Sequence, residues 1–304
     1  MQAIDKIPPP PRRPAGSHKG TFGTVIVIGG SPTMVGAPAL AATAALRAGA
    51  GLAKIAAPPQ VIPFALAIEP GATGIELLPT IEQAKAVSTL DIADPRQRAV
   101  LAIGPGMGTA DPSRQLPFIL ALFQGPRQVV LDADGLNLLA GAGVPPPNLI
   151  PQHARDPLSP IVMTPHPGEF QRLAEPLGIR DDPTDHATRP AAAAKLASFY
   201  HSVVVLKGHN TVVTDGQRQF INQTGNAALA TAGTGDVLTG IIAALIAQGM
   251  TPFDASVLGI HIHGRAADRW REDHGPSGLT ARDLAARLPE AMHEQRGLST
   301  RNSL

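Results

Sequence analysis

Short, mostly apolar segments recur along the chain, and most are followed by a turn-forming residue. They are Thr24–Ile28, Leu52–Ala57, Ala99–Ile103, Gln128–Leu131, 161–164 and 202–206. Continuous β-branched segments of this length are typical of strands buried on both faces, as in a parallel sheet. Segments with helical spacing of apolar residues alternate with them, at 37–48, 80–88, 111–123 and 189–201. The alternation predicts an α/β protein with three layers and a mostly parallel central sheet.

The later part of the chain changes this pattern. Segments 211–214 and 218–222 flank Asp215-Gly216, which predicts an antiparallel hairpin. Apolar helices follow at 235–248 and 252–268, and a last helix begins near Thr280.

A single domain over residues 17–295 accounts for the pattern. Residues 1–16 are rich in proline and lack the apolar segment of a signal peptide, so we expect a flexible N-terminal arm. Residues 296–304 are polar and predict a frayed tail. A proline-rich loop at 141–160 lies between two strands of the same pattern, so it predicts a mobile connection and not a domain boundary.

Composition excludes several classes of function. Apolar residues make up 43% of the 304, enough for a core, and the net charge of +1 gives no electrostatic case for nucleic acid or an anionic membrane. There is no cysteine, which excludes disulfides, thiol nucleophiles and thiolate metal sites. The longest apolar segment, 237–250, is too short to cross a bilayer. We therefore expect a soluble, cytoplasmic protein.

The start of the helix at 235–248 carries the most chemistry. Gly233, Thr234 and Gly235 precede the apolar part, and Asp236 lies in its first turn. Glycine lets the backbone approach a ligand closely, and the free N–H groups of a helix start bind anions. A carboxylate beside an anion site suits a general base next to a moving phosphoryl group. The alternative is an ordinary capped helix with an aspartate favoured by the dipole, and spacing alone favours neither.

Other strand ends carry glycine or acidic turns. Gly29-Gly30-Ser31 does not fit the G-x-G-x-x-G pattern, which argues against a Rossmann dinucleotide site. Gly106 lies in a turn with three glycines, which predicts close approach of a ligand or another backbone. Asp132 and Asp134 follow the fourth strand, where they would meet a metal or a hydroxyl, and the alternative is that Asp134 or Asn137 caps the next helix.

Three further basic or histidine positions stand out. His166 lies between two prolines at a strand end, which favours a ligand contact over a structural role. Lys207 leaves an apolar strand and needs a charged partner, which a bound phosphate would provide. His261 and His263 are two positions apart and make a poor metal pair, so at least one is expected to be a packing residue.

Taken together, the motifs resemble a known family. The sequence is similar to ADP/ATP-dependent NAD(P)H-hydrate dehydratases of the ribokinase-like superfamily over about residues 17–292. The motifs that carry the resemblance are HKGTFG (18–23), GGS (29–31), GAPAL (36–40), IGPGMG (103–108), LDADGLN (131–137), MTPHPGEF (163–170), LKGHNT (206–211) and TGNAALATAGTGDVLTGIIAAL (224–245). The resemblance implies a ribokinase-like αβα fold.

The resemblance also implies a reaction. These enzymes use ADP or ATP to dehydrate NADHX and NADPHX, the hydrated forms of NADH and NADPH, in their S epimers. The ring hydroxyl is phosphorylated and phosphate is then eliminated, with Mg²⁺ on the nucleotide phosphates and Asp236 as general base. Implied substrate contacts are Ala37, Gly106, His166 and Asp236. Implied nucleotide contacts are Lys207, Gly208, His209, Asn210, Thr211, Asn226, Gly233, Thr234 and Gly235.

Partners and alternatives follow from the same resemblance. It implies a homo-oligomer, a tetramer by analogy, and a separate epimerase acting in the same pathway. Many relatives carry an N-terminal epimerase domain, and with about 17 residues before the match we expect this chain to lack that activity. A vitamin-precursor kinase of the same superfamily and a non-catalytic nucleotide-binding module remain open. The kinase would share Asp236 and the anion site, so His166 and the IGPGMG turn distinguish it from the dehydratase.

Overall fold

A computed structural model describes residues 1–90, 98–142 and 161–301. Its strands form one sheet in the order β1-β10-β9-β8-β7-β6-β5-β2-β3-β4. All neighbours are parallel except β9, which is antiparallel to both β8 and β10. The strands are β1 (Gln2–Ala3), β2 (Thr24–Ile28), β3 (Leu52–Ala57), β4 (Thr73–Glu76), β5 (Ala99–Ile103), β6 (Gln128–Leu131), β7 (Val162–Met163), β8 (Val203–Leu206), β9 (Val212–Thr214) and β10 (Arg218–Ile221).

Helices cover both faces of this sheet. Those packed on one face are α1 (Gly36–Arg47), α2 (Ile62–Ile68), α8 (Thr234–Ala247), α9 (Pro252–His274) and α10 (Ala281–Arg301). Those on the other face are α3 (Ile81–Ser88), α4 (Pro112–Phe123), α5 (Ala133–Ala140), α6 (Pro167–Ala174) and α7 (Arg189–Tyr200). Since inward side chains alternate along each strand, the sheet separates two apolar cores. The three-layer αβα prediction is confirmed.

Helices α1 and α8 pack unusually closely, and this fixes the start of α8. A Cβ atom on Gly240 would lie 2.1 Å from the carbonyl oxygen of Ala41. α1 supplies mostly alanines to this contact, and small side chains permit the close approach. The helix that carries Asp236 is therefore held rigidly against the sheet.

The predicted strands are all present, with ends within one or two residues of the predicted bounds. The sequence interpretation missed β4 and α2, because the segment 58–76 mixes proline, glycine and exposed apolar residues. It also missed β1. Of the helices described, none combines the length and the apolar character needed to cross a bilayer.

Both chain ends differ from the prediction. Ile4 N–H donates to the carbonyl of Gln219 at 2.8 Å, and Ile4 and Ile7 pack against the core. Arg13 donates to the carbonyl of Gly49 and lies over the Phe22 ring. The first residues are thus attached along the β10 edge of the sheet and Arg13 is tied to the end of α1, so segment 1–16 is not a free arm. At the other end α10 continues to Arg301, so most of the predicted tail is helical. Most of the predicted loop at 141–160 lies outside the described residues.

The parallel strands bring their carboxyl ends to one edge of the sheet. The turns after β2, β5, β6, β7 and β8 carry the glycine, acidic, histidine and lysine motifs of the sequence. In open α/β sheets, ligands bind outside this edge. The start of α8 lies there as well.

Candidate active site

The loop before α8 is held in one conformation by its own hydrogen bonds. The Thr234 hydroxyl donates to the carbonyls of Leu229 and Thr231, both at 2.9 Å. Gly233 has φ of 86°, and a Cβ there would lie 2.8 Å from Leu40 of α1. Only glycine meets both conditions. The N–H groups that open α8 are therefore presented by a rigid turn.

Asp236 lies in the first turn of α8, next to these N–H groups. Burial, reinforced by the charge of Asp132 and opposed by that of Lys207, raises the pKa of Asp236 to about 7. A carboxyl group with such a pKa exchanges a proton near neutral pH, as a general base must. This environment is compatible with a general base, and the position of Asp236 in the first turn is also that of a dipole-favoured aspartate.

Lys207 finds its partners within the protein. Its Nζ lies 2.7 Å from Asp132 Oδ1 and 3.8 Å from Glu169 Oε2. Burial opposes its charge, but the two carboxylates together raise the pKa of Lys207, so the ammonium stays charged. A Cβ on Gly235 would lie 3.5 Å from Nζ, which places the ammonium directly beside the start of α8. The sequence predicted that Lys207 needs a charged partner and suggested a bound phosphate. In the structure that partner is Asp132.

The two aspartates after β6 have separate roles, and although Asp132 occupies the N-cap position of α5, its side chain makes no capping hydrogen bond. Asp132 is buried, and its Oδ2 accepts a hydrogen bond from the Thr239 hydroxyl at 2.7 Å. Asp134 Oδ2 accepts from the Gly108 N–H at 2.8 Å and so holds the IGPGMG turn. Thr239, on the buried face of α8, gave no sequence signal beyond its apolar surroundings.

His166 is at once a helix cap and a partly exposed side chain. Its Nδ1 accepts hydrogen bonds from the N–H groups of Gly168 and Glu169, while Glu169 accepts from the His166 N–H at 2.8 Å. Because Nδ1 is an acceptor, we assign the proton of the neutral ring to Nε2. Burial, with the charges of Lys207 and Arg172, lowers the pKa of His166, so the ring is neutral near pH 7. Both sequence interpretations of His166 are compatible with this geometry.

Ala37 and Gly106 meet where the turns after β2 and β5 touch. Gly106 has φ of 62°, and a Cβ on it would lie 2.9 Å from the Ala37 Cβ and 2.8 Å from the Met34 carbonyl oxygen. One turn further along α1, Leu40 contacts the loop before α8. The glycine turn, the start of α1 and the start of α8 are therefore neighbours.

A cavity of about 670 Å³ lies between the turn after β8 and helices α8 and α9, and we name it the α8–α9 cavity. Of the predicted nucleotide contacts all except Gly233 line it. Lining residues that the sequence interpretation missed are Asn222, Gln223, Thr224, Gly225, Ala227, Leu229, Ala230, Leu238, Ile260, His263, Gly264 and Arg271. A wider, open depression of about 990 Å³ beside α7 contains none of the strand-end groups. The chemistry therefore assigns the smaller cavity as the candidate site.

Asn226 anchors the wall of this cavity. Its side-chain amide donates to the carbonyl of Ala267 and to Asp268 Oδ1, both at 3.0 Å, and its oxygen accepts from the Ala228 N–H. Both amide hydrogens are therefore engaged, and the side chain has no donor left for a phosphate. These hydrogen bonds give Asn226 a structural role, because they hold the loop 224–226, which we name the TGN loop, against α9.

The two histidines of α9 are neutral. Burial lowers the pKa of each to about 4. The Nε2 atom of His263 lies 2.9 Å from the Thr234 carbonyl oxygen, so His263 ties α9 to the first turn of α8. Over residues 1–90, 98–142 and 161–297, the structure contains no group of three or more histidine or acidic side chains arranged to hold a metal ion.

Comparison with known proteins agrees with this architecture. The family model described as NAD(P)H-hydrate dehydratase matches residues 25–290. The chain is 42% identical over 292 residues to a bifunctional NAD(P)H-hydrate repair enzyme of Moorella thermoacetica, covering 92% of this chain and 51% of that protein. It is 39% identical to an ADP-dependent (S)-NAD(P)H-hydrate dehydratase of Neisseria meningitidis, covering 88% of this chain and 84% of that one. The chain thus spans about half the length of the bifunctional relatives that it matches.

A solved structure shows the same fold. The ADP/ATP-dependent NAD(P)H-hydrate dehydratase of Bacillus subtilis, co-crystallised with ATP/Mg²⁺, superimposes with a TM-score of 0.77 at 31% identity, covering 94% of both chains. Sheet order, helix layers and the placement of the site define the class as a ribokinase-like α/β protein. Within that class, the chain belongs to the NAD(P)H-hydrate dehydratase family.

Proposed function

We propose that this chain uses ADP or ATP to dehydrate the S epimers of NADHX and NADPHX, restoring NADH and NADPH. The observation that carries the proposal is the place of Asp236 in the first turn of α8, near Lys207 and Asp132, where burial raises its pKa to about 7. Family membership supports the substrate class, since the Neisseria meningitidis relative bears that activity in its name.

The first step is phosphoryl transfer. Asp236 accepts the proton of the ring hydroxyl, and the hydroxyl oxygen attacks the terminal phosphorus of the nucleotide. The bond from that phosphorus to the bridging oxygen breaks, and ADP leaves when ATP is the donor. The N–H groups of residues 232–235 and the Lys207 ammonium stabilise negative charge on the transferred group.

The second step is elimination. The bond between the ring carbon and the phosphate oxygen breaks, and the adjacent ring carbon loses a proton to the departing phosphate. Hydroxide is a poor leaving group near neutral pH and phosphate a good one, so the first step makes the second possible. The products are the reduced nicotinamide and inorganic phosphate.

The neighbouring groups give each ligand a place in this proposal. The hydrated ring would lie against Ala37 and Gly106, and the half-exposed ring of His166, whose Nε2 also lies 3.3 Å from Glu169 Oε1, would contact its polar groups. The nucleotide would occupy the α8–α9 cavity, with its phosphates at the loop 207–211 and at Gly235. The hydroxyl and the terminal phosphate would meet beside Asp236, and its proximity to Lys207 and Gly233 supports this arrangement.

The residues fit a magnesium ion that arrives with the nucleotide. Mg²⁺ is usually bound by substrate phosphates, water and one or two carboxylates, and not by a dedicated protein cage. Asp132 and Glu169, which flank Lys207, are buried and already bonded within the protein, so the phosphates and water would supply most of the ligands of the ion. When bound, the ion neutralises charge on the nucleotide phosphates.

The proposal extends to assembly and partners. Support for a homo-oligomer, which we propose as a tetramer, comes from the exposed apolar side chains at the β4 edge: Phe64, Ile68, Leu78 and Ile81. Light scattering of the purified chain measures its oligomeric state.

A separate epimerase would supply the S epimer, as the bifunctional relatives suggest.

The test is recovery of reduced cofactor from its hydrate. Purified chain is mixed with hydrated NADH, Mg²⁺ and either ADP or ATP, and the absorbance of the reduced nicotinamide is followed. We expect recovery that requires both nucleotide and protein and that stops when the S epimer is exhausted. Phosphorylation of a hydroxymethyl pyrimidine or hydroxyethyl thiazole, with the hydrate left unchanged, would contradict the proposal and favour a vitamin-precursor kinase.

A further inference from the structure

Arg189, the first residue of α7, is almost fully buried beneath the loop 207–211. Its side chain is 3% exposed. One terminal nitrogen, Nη1, donates to the carbonyl of His209. The other, Nη2, donates to the carbonyls of Leu206 and Lys207, both at 3.0 Å. A single guanidinium thus holds three of the four carbonyls between residues 206 and 209.

The charge of Arg189 is not neutralised by any acidic side chain in the part of the chain that the structure describes. Burial alone lowers its pKa, with no contribution from a nearby carboxylate, and an arginine remains charged in proteins. Its Nε is buried without a hydrogen-bond partner. The N-terminus of α7 adds a partial positive charge at the same place. A buried, uncompensated cation is costly, and an anion bound nearby would remove much of that cost.

The same contacts determine where the loop amides point. The peptide bonds are trans, so each carbonyl points opposite to the N–H of the next residue. Because the carbonyls of Lys207 and His209 face Arg189, the N–H groups of Gly208 and Asn210 point away from it. Both residues line the α8–α9 cavity.

The loop conformation depends on this arrangement. Gly208 has φ of 138° and Asn210 φ of 54°. A Cβ on Gly208 would lie 3.0 Å from Nη2 of Arg189, so the loop passes directly over the guanidinium. The positive φ values accompany this arrangement, in which the carbonyls of Lys207 and His209 face Arg189 and the N–H groups that follow them point away from it.

We propose that Arg189 is a positioning residue for the nucleotide phosphates, which it serves by directing the Gly208 and Asn210 N–H groups into the α8–α9 cavity and by placing a buried positive charge behind them. The inference rests on the proposed function, since the ligand it assigns to these amides is the polyphosphate of ADP or ATP. Arg189 itself lies behind the loop and touches no ligand.

The first test measures nucleotide affinity by calorimetry. Arg189→Met removes charge and donors, whereas Arg189→Lys keeps the charge but cannot reach three carbonyls. We expect the Kd for ADP to rise by about tenfold or more in Arg189→Met and by less in Arg189→Lys, with the KM for the hydrate within about twofold of wild type. The control is Arg180→Met, which removes an exposed arginine near α7. Unchanged ADP affinity in folded Arg189→Met would overturn the inference.

A second measurement needs no variant, which matters if Arg189→Met does not fold. Amide resonances of the wild-type chain are followed by NMR as ADP is added. The Gly208 and Asn210 signals should shift with the same Kd that calorimetry gives. If ADP binds and neither signal moves, the inference is overturned while the proposed function stands. If the wild-type chain binds neither ADP nor ATP, the proposed function fails, and the inference fails with it.

Discussion

At the residue scale, the site depends on one carboxyl group whose environment makes it a base. Asp236 is surrounded by Asp132, Asp134, Glu169 and Lys207, and burial acts on it more strongly than any single charge. The positive charge of Lys207 offsets part of the negative charge of these carboxylates. Asp132 holds the Lys207 ammonium in place through its ion pair. The reactivity of Asp236 is therefore a property of the group and not of the aspartate alone.

The pH dependence of the reaction should report this carboxyl. A general base acts in its deprotonated form, and the pKa of Asp236 is raised to about 7. Hence kcat/KM should fall as the pH drops below about 7, by about tenfold for each further pH unit. Rates measured across this range on the hydrate provide the check. A profile that stays flat down to the ordinary aspartate pKa would contradict the assignment.

Thr239 should contribute to stability through Asp132. Its hydroxyl donates to the buried carboxylate at 2.7 Å, so Thr239→Val leaves that oxygen without a partner. We expect a loss of about 1–3 kcal/mol in the free energy of unfolding, measured with denaturant. Thr184→Val, which removes an exposed hydroxyl that bonds Asp182, is the matched control and should cost less than about 0.5 kcal/mol. Equal losses in the two variants would show that the Thr239–Asp132 bond adds nothing.

At the element scale, α9 is the wall that shapes the cavity. The sequence predicted this helix from its apolar spacing, but that spacing does not reveal which loop the helix will contact. His263 and Asp268 bind the loops before α8, and Gly264 lets the TGN loop lie against the helix axis. These contacts join residues about 30 to 40 positions apart in the sequence. The local spacing of apolar residues therefore could not predict them.

Gly264→Ala should therefore disturb the wall of the α8–α9 cavity by displacing the loop that contains Thr224. The added Cβ would lie 2.2 Å from the Thr224 hydroxyl oxygen and 2.6 Å from the Thr224 carbonyl carbon, so the loop must move. We expect the Kd for ADP to rise by about tenfold or more, measured by calorimetry. Gly297→Ala, in α10, adds a Cβ that meets nothing within 4 Å and should leave the Kd unchanged. Wild-type affinity in Gly264→Ala would show that the loop position is unimportant.

At the scale of the whole molecule, the sequence predicted the architecture and the edge of the sheet where the site lies. Buried strands ending in glycine, acidic, histidine or lysine turns were sufficient, because parallel strands bring such turns together. The attachment of residues 1–16 was not predicted, since proline-rich composition concealed the two isoleucines that pack on the core. The burial of Arg189 was not predicted either, because an arginine at the first position of a helix is ordinarily exposed.

Replacing Asp236 with Asn tests the central claim most directly. Asn has the size of Asp but cannot accept the hydroxyl proton, so the variant should bind ADP with near wild-type Kd. Its kcat for recovery of NADH from the S hydrate should fall by about 100-fold or more. Calorimetry and the absorbance assay on the same preparation measure both quantities. Loss of turnover with binding retained is the predicted result, and wild-type turnover by Asp236→Asn would contradict the account.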